Sequence, residues 1–558
     1  MERERKPFSL TNHVGPIVDI LQRHAAARPR SFHVPGHKGI EPPQAAGAAS
    51  KRGSVDGAPS FVSALGGLLP MDVTELSDTD DLHDPSGAIQ QAQQLAACRF
   101  GADETAFLVG GSTAGNLALL LGCLQPGDIA LIQRNVHKSV LNGLRLSGAK
   151  AVFLEPRIEP SSGLSELPAL EAVEQALRSW PQAKALVLSN PSYYGWSRDL
   201  QPYAELVHRT ECLLLVDEAH GAHYGLHPDL PSGALQAGAD AVVQSTHKTL
   251  HAMTMGAMLH MQGERLDRQK VKAMLAALQS SSPSYPIMAS LDLARGLLDE
   301  HGPDWFGPGL HAAASIRSRL RLSERWGLAE DLVQDEGIRT DPLRIVLYDR
   351  LGDWKGFDLL RQLERRGIWA EMADETYVVL LVGARTGMEE AAELLAALAE
   401  LEQLGRELAS EEGSATEAGK RIAACPEIIP ARGAETRTDK AKARGVETRT
   451  DKAKTRVAEA ASGDQAGGAS REPAFLFSEP TRLERFPPSE RETELVPLME
   501  AAGRVSAEAI IPYPPGIPLV LEGEAITARL IDSMQRLDGA RFQGKSVSER
   551  GSIRVRRR

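Results

Sequence analysis

The chain has 558 residues, 42% of them hydrophobic and 25% charged, with a formal net charge of −11 and a pI near 5.8. That balance supports globular cores of normal size, and the acidic excess argues against a general nucleic-acid or anionic-membrane binder. Cys98, Cys123, Cys212 and Cys425 are scattered, without metal-type pairing or a disulfide framework, and no apolar run suits a signal peptide or a membrane span, so a cytoplasmic protein of about three domains is expected.

From Thr105 to His260 short apolar runs alternate with helical stretches: "TAFLVGG", "DIALIQ", "KAVFLEP", "AKALVLSN", "CLLLVDEAH", "DAVVQSTHK" and "GAMLH". Unbroken apolar runs of this length fit strands buried on both faces, as in an α/β sheet covered by helices. Further on, "LRIVLYD" and "TYVVLLVG" read as strands with "GFDLLRQLERRG" as a helix between them. Leu394, Leu395, Leu398, Leu401, Leu404 and Leu408 then recur at helical spacing, which predicts the apolar face of a long helix and, with the two strands, a small α+β region. Between Glu411 and Glu472 the composition turns to Ala, Gly, Glu, Lys, Thr and Arg, and "ARGAETRTDKAK" is followed directly by "ARGVETRTDKAK". Too few apolar residues occur there to bury a face, so the segment is expected to be a disordered linker. The last block holds the rigid "PYPPGIPLVLEGE" and a helical "AITARLIDSMQRL", and ends in Arg554-Val555-Arg556-Arg557-Arg558, read as a solvated tail.

The apolar runs end in polar residues, and ligands of open α/β sheets bind at the carboxyl ends of strands. "GGSTAGN" (110–116) places glycines and the hydroxyls of Ser112 and Thr113 at a strand-to-helix turn, where backbone N–H groups and a helix N-terminus suit a phosphate; an ordinary turn is the bland alternative. His137, in "RNVHKSV", could stack on a pyridine ring or could cap a helix. Asp217 starts where the apolar part of "LLLVDEAHGAH" stops, and an anion there holds a pyridine nitrogen protonated; a helix cap is the alternative. His220 is close enough in the chain to line the same cleft. Lys248 ends the "DAVVQSTHK" run, with Ser245 and His247 beside it as further phosphate donors. Burying an ammonium is costly, and a neutral, desolvated lysine is what bonding to an aldehyde requires.

The stretches "FHVPGHKG", "DVTELSDTDDLHDPSGAI", "GGSTAGN", "RNVHKS", "NPSYYG", "VDEAHGAH", "STHKTL", "SSPSYPIMASLDLAR", "GIWAEM", "GRVSAE" and "PYPPGIP" occur in this order. Together they resemble the fold-type-I, pyridoxal-phosphate (PLP)-dependent ornithine/lysine/arginine decarboxylases, in the short bacterial form that lacks the N-terminal wing. The resemblance implies an α/β protein: a PLP-dependent-transferase (aspartate aminotransferase-like) large domain with a mainly parallel seven-stranded sheet, a small α+β domain and a C-terminal α+β domain. The boundaries expected are 1–300 for the N-terminal segment and large domain, 301–410 for the small domain, 411–472 for the linker and 473–558 for the C-terminal domain.

The resemblance further implies pyridoxal 5'-phosphate as cofactor and no metal. Lys248 would bond to it covalently, His137 would stack on its ring and Asp217 would pair with its ring nitrogen. Ser112, Thr113, Ser245 and His247 would hold its phosphate. His220 stands where many relatives have tryptophan, and Met255 where glutamine is usual. Lys248 or His247 is expected to return the proton to the α-carbon, with Lys248, His247 and His137 as the catalytic set. The implied reaction is decarboxylation of a basic amino acid, arginine before lysine or ornithine, in polyamine formation. The implied assembly is a homodimer or larger homo-oligomer, with no nucleic-acid or membrane partner. Acidic residues of "DVTELSDTDDLHD" and Glu522 or Glu524 are candidates for the substrate's distal cation. Transamination or side-chain lysis on the same fold, and a cofactor-binding protein without turnover, are the alternatives.

Overall fold

A computed structural model describes residues 15–27, 34–35, 37–38, 66–411, 477–486, 488–513, 517–536, 541–543 and 551–557. Two units result, Met1–Glu402 with Leu476–Arg558, and Gln403–Phe475; of the second only the end of the helix Met388–Glu411 is described. Apart from Glu411, the expected linker at 411–472 with its duplication lies outside the described residues, as do Cys425 and parts of "FHVPGHKG" and "PYPPGIP".

Each of the seven apolar runs forms a strand: β1 (Glu104–Leu108), β2 (Ile129–Gln133), β3 (Lys150–Leu154), β4 (Ala185–Ser189), β5 (Leu213–Asp217), β6 (Ala241–Gln244) and β7 (Ala257–Met261). They lie in the order β1-β7-β6-β5-β4-β2-β3. The five strands from β3 to β6 run parallel, β7 is antiparallel to β6, and β1 is antiparallel to β7. Successive side chains go to opposite faces. Leu131, Leu186, Leu214 and Val242 pack on one side, and Ile132, Val187, Leu215 and Val243 on the other. Helices cover both faces, which is why the strands read as unbroken apolar runs. The sheet has eight strands where seven were expected. The eighth, Thr481–Arg482, pairs antiparallel with β3 at the edge; two exposed polar residues carry no apolar signal.

A four-stranded antiparallel sheet follows, in the order β8 (Trp326–Leu328), β9 (Arg344–Asp349), β11 (Tyr377–Leu381), β10 (Met372–Ala373). The helix Gly356–Glu364 lies between β9 and β10 in the chain. In the helix Met388–Glu411, Leu394, Leu398 and Leu401 are buried, and the Leu398 carbonyl accepts from Trp326 Nε1 at 3.1 Å. Toward the C-terminus, Ser552–Arg556 pairs with Thr493–Pro497, and Ile553 and Val555 are completely buried. This corrects the expected solvated tail: the arginines alternate with apolar residues at the period of a strand, so the segment buries one face and solvates the other. No helix of the described residues is long and apolar enough to cross a membrane.

Candidate active site

Parallel pairing aligns the carboxyl ends of neighbouring strands. Ser189 at the end of β4 stands opposite Asp217 at the end of β5, and Asp217 opposite Val243 of β6. A cavity of about 270 Å³ opens at this edge. Ser112, Thr113, His137, Asp217, His220, Ser245, His247 and Lys248 all line it, so the structure brings together every residue the sequence singled out for the cofactor. A second cavity, of about 300 Å³, shares Lys248 with the first and is otherwise lined by residues such as His223, Trp305, Asp341 and Arg385.

The glycine turn before the helix Gly111–Cys123 forms one wall. Gly111 takes φ +70°, and a Cβ there would meet nothing within 4 Å. Its N–H donates to the carbonyl of Met255 at 2.9 Å. Met255 itself has φ +74°, a conformation that costs a side-chain-bearing residue on the order of 1 kcal/mol or more. Ser112 Oγ accepts from Ser245 Oγ at 2.8 Å, which ties the helix start to the end of β6.

Of the two roles the sequence allowed His137, the structure shows the helix cap. It caps the helix Lys138–Ser147, its Nδ1 accepting from the Ser139 N–H at 3.2 Å, and it lines the cavity. The cap fixes the ring. Ser139 Oγ, 2.8 Å from the same Nδ1, also accepts from Asn116 Nδ2 at 2.9 Å. Asn116 Nδ2 donates as well to Asp217 Oδ2, at 2.9 Å, while Asp217 Oδ1 accepts from the Ala219 N–H at 3.1 Å. The buried carboxylate is thus held from both oxygens, as a buried charge must be. Burial in the first place, and then the Lys248 and Lys138 charges, lowers the pKa of His137 against the opposing pull of Asp217.

Lys248 Nζ lies 2.9 Å from His220 Nε2. Burial lowers the lysine's pKa and the Arg344 charge adds to it, opposed by Asp217 and Glu371. His220 is held well below its ordinary value by burial first and by the Lys248 and Arg344 charges next. The ring of Tyr193 stands 4.4 Å from that of His220, and its hydroxyl donates to Glu371. His247 Nδ1 is 2.8 Å from the Gly256 carbonyl and therefore carries a hydrogen, which leaves Nε2 as the nitrogen not engaged by that contact.

Asn116, Ser139, Tyr193, Glu371, Arg344 and Ile517 were not singled out in the sequence. Asn116, Ser139, Tyr193, Glu371 and Ile517 lie inside motifs already quoted; Arg344 carries no local signal, because its partners are distant in the chain. The candidates for a distal cation fare differently. Glu524 pairs with Arg134 at 2.6 Å, and Glu522 approaches Arg145 at 4.0 Å. Asp80 accepts from the N–H groups of Ser86, Gly87 and Ile89 at 2.8 Å each, a cap at the start of the helix Ala88–Phe100, and Asp72 pairs with His37 at 3.1 Å. None of these acidic residues lines the cavity among the described residues.

The donor set suits a phosphorylated aromatic aldehyde. Hydroxyls at a helix N-terminus could take the phosphate, a carboxylate held by two N–H donors could take a ring cation, and an amine with a lowered pKa could bond to the carbonyl carbon.

Residues 15–362 match the model of the Orn/Lys/Arg decarboxylase major domain, and residues 487–541 that of the Orn/Lys/Arg decarboxylase C-terminal domain. An arginine decarboxylase of Bacillus subtilis (strain 168) is 31% identical over 554 residues, 98% of each chain. The lysine decarboxylase LdcA of Pseudomonas aeruginosa is 24% identical, over 94% of this chain and 76% of that protein. The crystal structure of the Francisella novicida lysine decarboxylase LdcF superposes with a TM-score of 0.70 at 18% identity, covering 97% of this chain and 81% of that one.

Proposed function

The chain belongs to the Orn/Lys/Arg decarboxylase family, and from that membership we propose that it removes the α-carboxylate of a basic amino acid, arginine before lysine or ornithine, with pyridoxal 5'-phosphate as cofactor. One observation carries the reading: the Lys248 amine, the Asp217 carboxylate and the Ser112–Ser245 hydroxyl pair line a single cavity at the strand ends. The preference for arginine rests on the full-length likeness to the Bacillus enzyme of that name.

Lys248 bonds to the cofactor, His137 stacks on its ring, and Asp217 pairs with the ring nitrogen. Ser112, Thr113, Ser245 and His247 hold the phosphate, and His220 lies beside Lys248. Bound there, the cofactor supplies an electron sink for the pair left on the α-carbon when carbon dioxide departs. Asn116 and the Ala219 N–H hold both Asp217 oxygens as acceptors, which would fix the carboxylate for its contact with that nitrogen. The proton for the α-carbon comes from Lys248 Nζ, after it has taken one up, or from His247 Nε2. Glu371, which is not itself in the cavity lining but accepts from the Tyr193 hydroxyl at its wall and whose charge reaches Lys248, takes the distal cation, and Ile517 packs on the substrate's methylenes. The protein works in the cytoplasm, in polyamine formation, as a homodimer or larger homo-oligomer whose second copy completes the pocket. Residues 1–300, 301–410 and 473–558 act as its large, small and C-terminal domains, joined across 411–472 by the linker.

The test is carbon dioxide release from arginine, lysine and ornithine by the purified protein supplied with pyridoxal 5'-phosphate. Release with an equal yield of the amine, fastest from arginine, is the expected result. Keto-acid formation without carbon dioxide replaces decarboxylation by transamination. Cofactor binding with no turnover of any of the three leaves a binding protein.

A further inference from the structure

We infer that Arg344 is a positioning residue that acts through His220: it dictates which imidazole nitrogen carries the proton, and thereby keeps the Lys248 amine neutral. The inference rests on the function proposed above and adds a residue that does not line the cavity.

Arg344 opens β9 and is 2% exposed. Its Nη1 donates to the Tyr193 carbonyl and lies 3.4 Å from His220 Nδ1. A guanidinium has donors only, so Nδ1 must offer its lone pair. A neutral imidazole that accepts at Nδ1 carries its hydrogen on Nε2. That hydrogen faces Lys248 Nζ across 2.9 Å, and a nitrogen accepting it must have a free electron pair. An ammonium has none. An imidazolium is excluded by the same logic, because it would set one N–H against the guanidinium and the other against the lysine. The Tyr193 ring, 4.4 Å from the imidazole, limits its rotation.

The charges around this chain of contacts oppose one another. Asp217 and Glu371 favour the ammonium form of Lys248, whereas burial and Arg344 disfavour it. His220 is in turn disfavoured as a cation by burial and by Lys248, Arg344, His137 and His247. Arg344 Nε and Nη2 have no hydrogen-bond partner among the described residues. The consequence is a lysine that returns, whenever its nitrogen is free, to the form able to bond to a carbonyl carbon.

The experiment reads protonation rather than turnover. Cofactor is stripped from the purified protein with hydroxylamine, pyridoxal 5'-phosphate is added back across pH 6–10, and borohydride fixes what has been captured. Mass spectrometry of the Lys248 peptide then gives the rate of capture. The wild type is expected to show a midpoint well below the ordinary lysine value of about 10.4. His220→Phe and Arg344→Met are each expected to raise the midpoint by about one pH unit, a tenfold loss of capture rate below it. Combining them should move it no further than the larger single effect. Arg344→Lys, which keeps a charged donor, and His220→Gln, whose amide can accept from Arg344 and donate to Lys248, should stay near the wild type. A midpoint raised by Arg344→Met but unmoved by His220→Phe overturns the inference, since Arg344 then acts by charge alone; so does a midpoint that neither moves. Should Arg344→Met fail to fold, the two His220 variants decide. A wild type that captures no cofactor on Lys248 at any pH sinks the proposed function instead.

Discussion

The Glu524 carboxylate lies 2.6 Å from the Arg134 guanidinium and also accepts from the Leu521 N–H at 2.7 Å. Arg134 directly follows β2 and precedes Asn135 and His137, which line the cavity, while Ile517, seven residues before Glu524, lines it too. One ion pair therefore joins the C-terminal segment to the strand end it helps to enclose. Both side chains are partly exposed, so the pair is worth no more than about 1 kcal/mol. Glu524→Gln should raise KM for the amino acid a few-fold with little change in kcat, and Arg134→Glu combined with Glu524→Arg should recover part of it. Steady-state kinetics check this; a fall in kcat at constant KM contradicts it.

Ile517 should set how well the aliphatic part of the substrate is held. Removing one buried methylene is worth about 0.8 kcal/mol, so Ile517→Val should lower kcat/KM about fourfold and Ile517→Ala, which removes three carbons, by about sixtyfold at most. The loss should be larger for lysine, whose stem has four methylenes, than for ornithine, which has three, because the longer stem leaves more apolar surface against residue 517. Equal losses for both substrates would place Ile517 away from the substrate.

Asn116→Ala should weaken cofactor binding without touching any group proposed to contact the cofactor. It removes the donor to Asp217 Oδ2 and Ser139 Oγ inside a buried site, at a cost of about 1–3 kcal/mol. That corresponds to roughly a five- to 150-fold rise in Kd for pyridoxal 5'-phosphate. Absorbance titration measures it, and an unchanged Kd would remove Asn116 from the support of Asp217.

A buried chain of hydrogen bonds crosses the sheet beside the site. Thr105 Oγ1 lies 2.8 Å from His260 Nδ1, His260 Nε2 lies 3.1 Å from Gln244 Oε1, and Gln244 Nε2 donates to Glu218 Oε2 at 2.7 Å. Burial pushes the Glu218 carboxyl up to about 8 and His260 down to about 3. The folded state then holds the Glu218 proton more tightly than the unfolded chain does. Its contribution to stability is full below the ordinary carboxylate value and is lost as pH rises toward 8, at about 1.4 kcal/mol per pH unit. His260 acts in the opposite sense, losing stability as pH falls below the ordinary imidazole value. Glu218→Gln should flatten the fall of Tm between pH 6.5 and 8. The chain can reverse direction to receive the new amide, Gln244 turning its oxygen toward residue 218 and its nitrogen toward His260. Parallel Tm curves for the two proteins would show that Glu218 is ionised throughout.

Much of this architecture was legible in advance. All seven expected runs became strands, because burial on both faces demands unbroken apolar residues and leaves a plain trace. The gathering of the singled-out residues around one cavity was readable as well, since each lies within a few residues of a strand's carboxyl end and the sheet gathers those ends at one edge. The eighth strand and the C-terminal strand were missed. Thr481–Arg482 has no apolar pattern, and at Ile553–Arg556 the arginines masked the alternation.

The sequence by itself determined which residues stand at strand ends: Asp217, Lys248, His137 and the hydroxyls of Ser112, Thr113 and Ser245. Period and composition are local properties, and a strand end is visible in a dozen residues. Only the tertiary structure decided what holds those residues in their working form. Asn116 on Asp217, Arg344 on His220 and Arg134 on Glu524 are contacts between segments about a hundred or more residues apart. No local pattern encodes them, because an arginine looks the same in the sequence whether it meets solvent, a carboxylate or an imidazole.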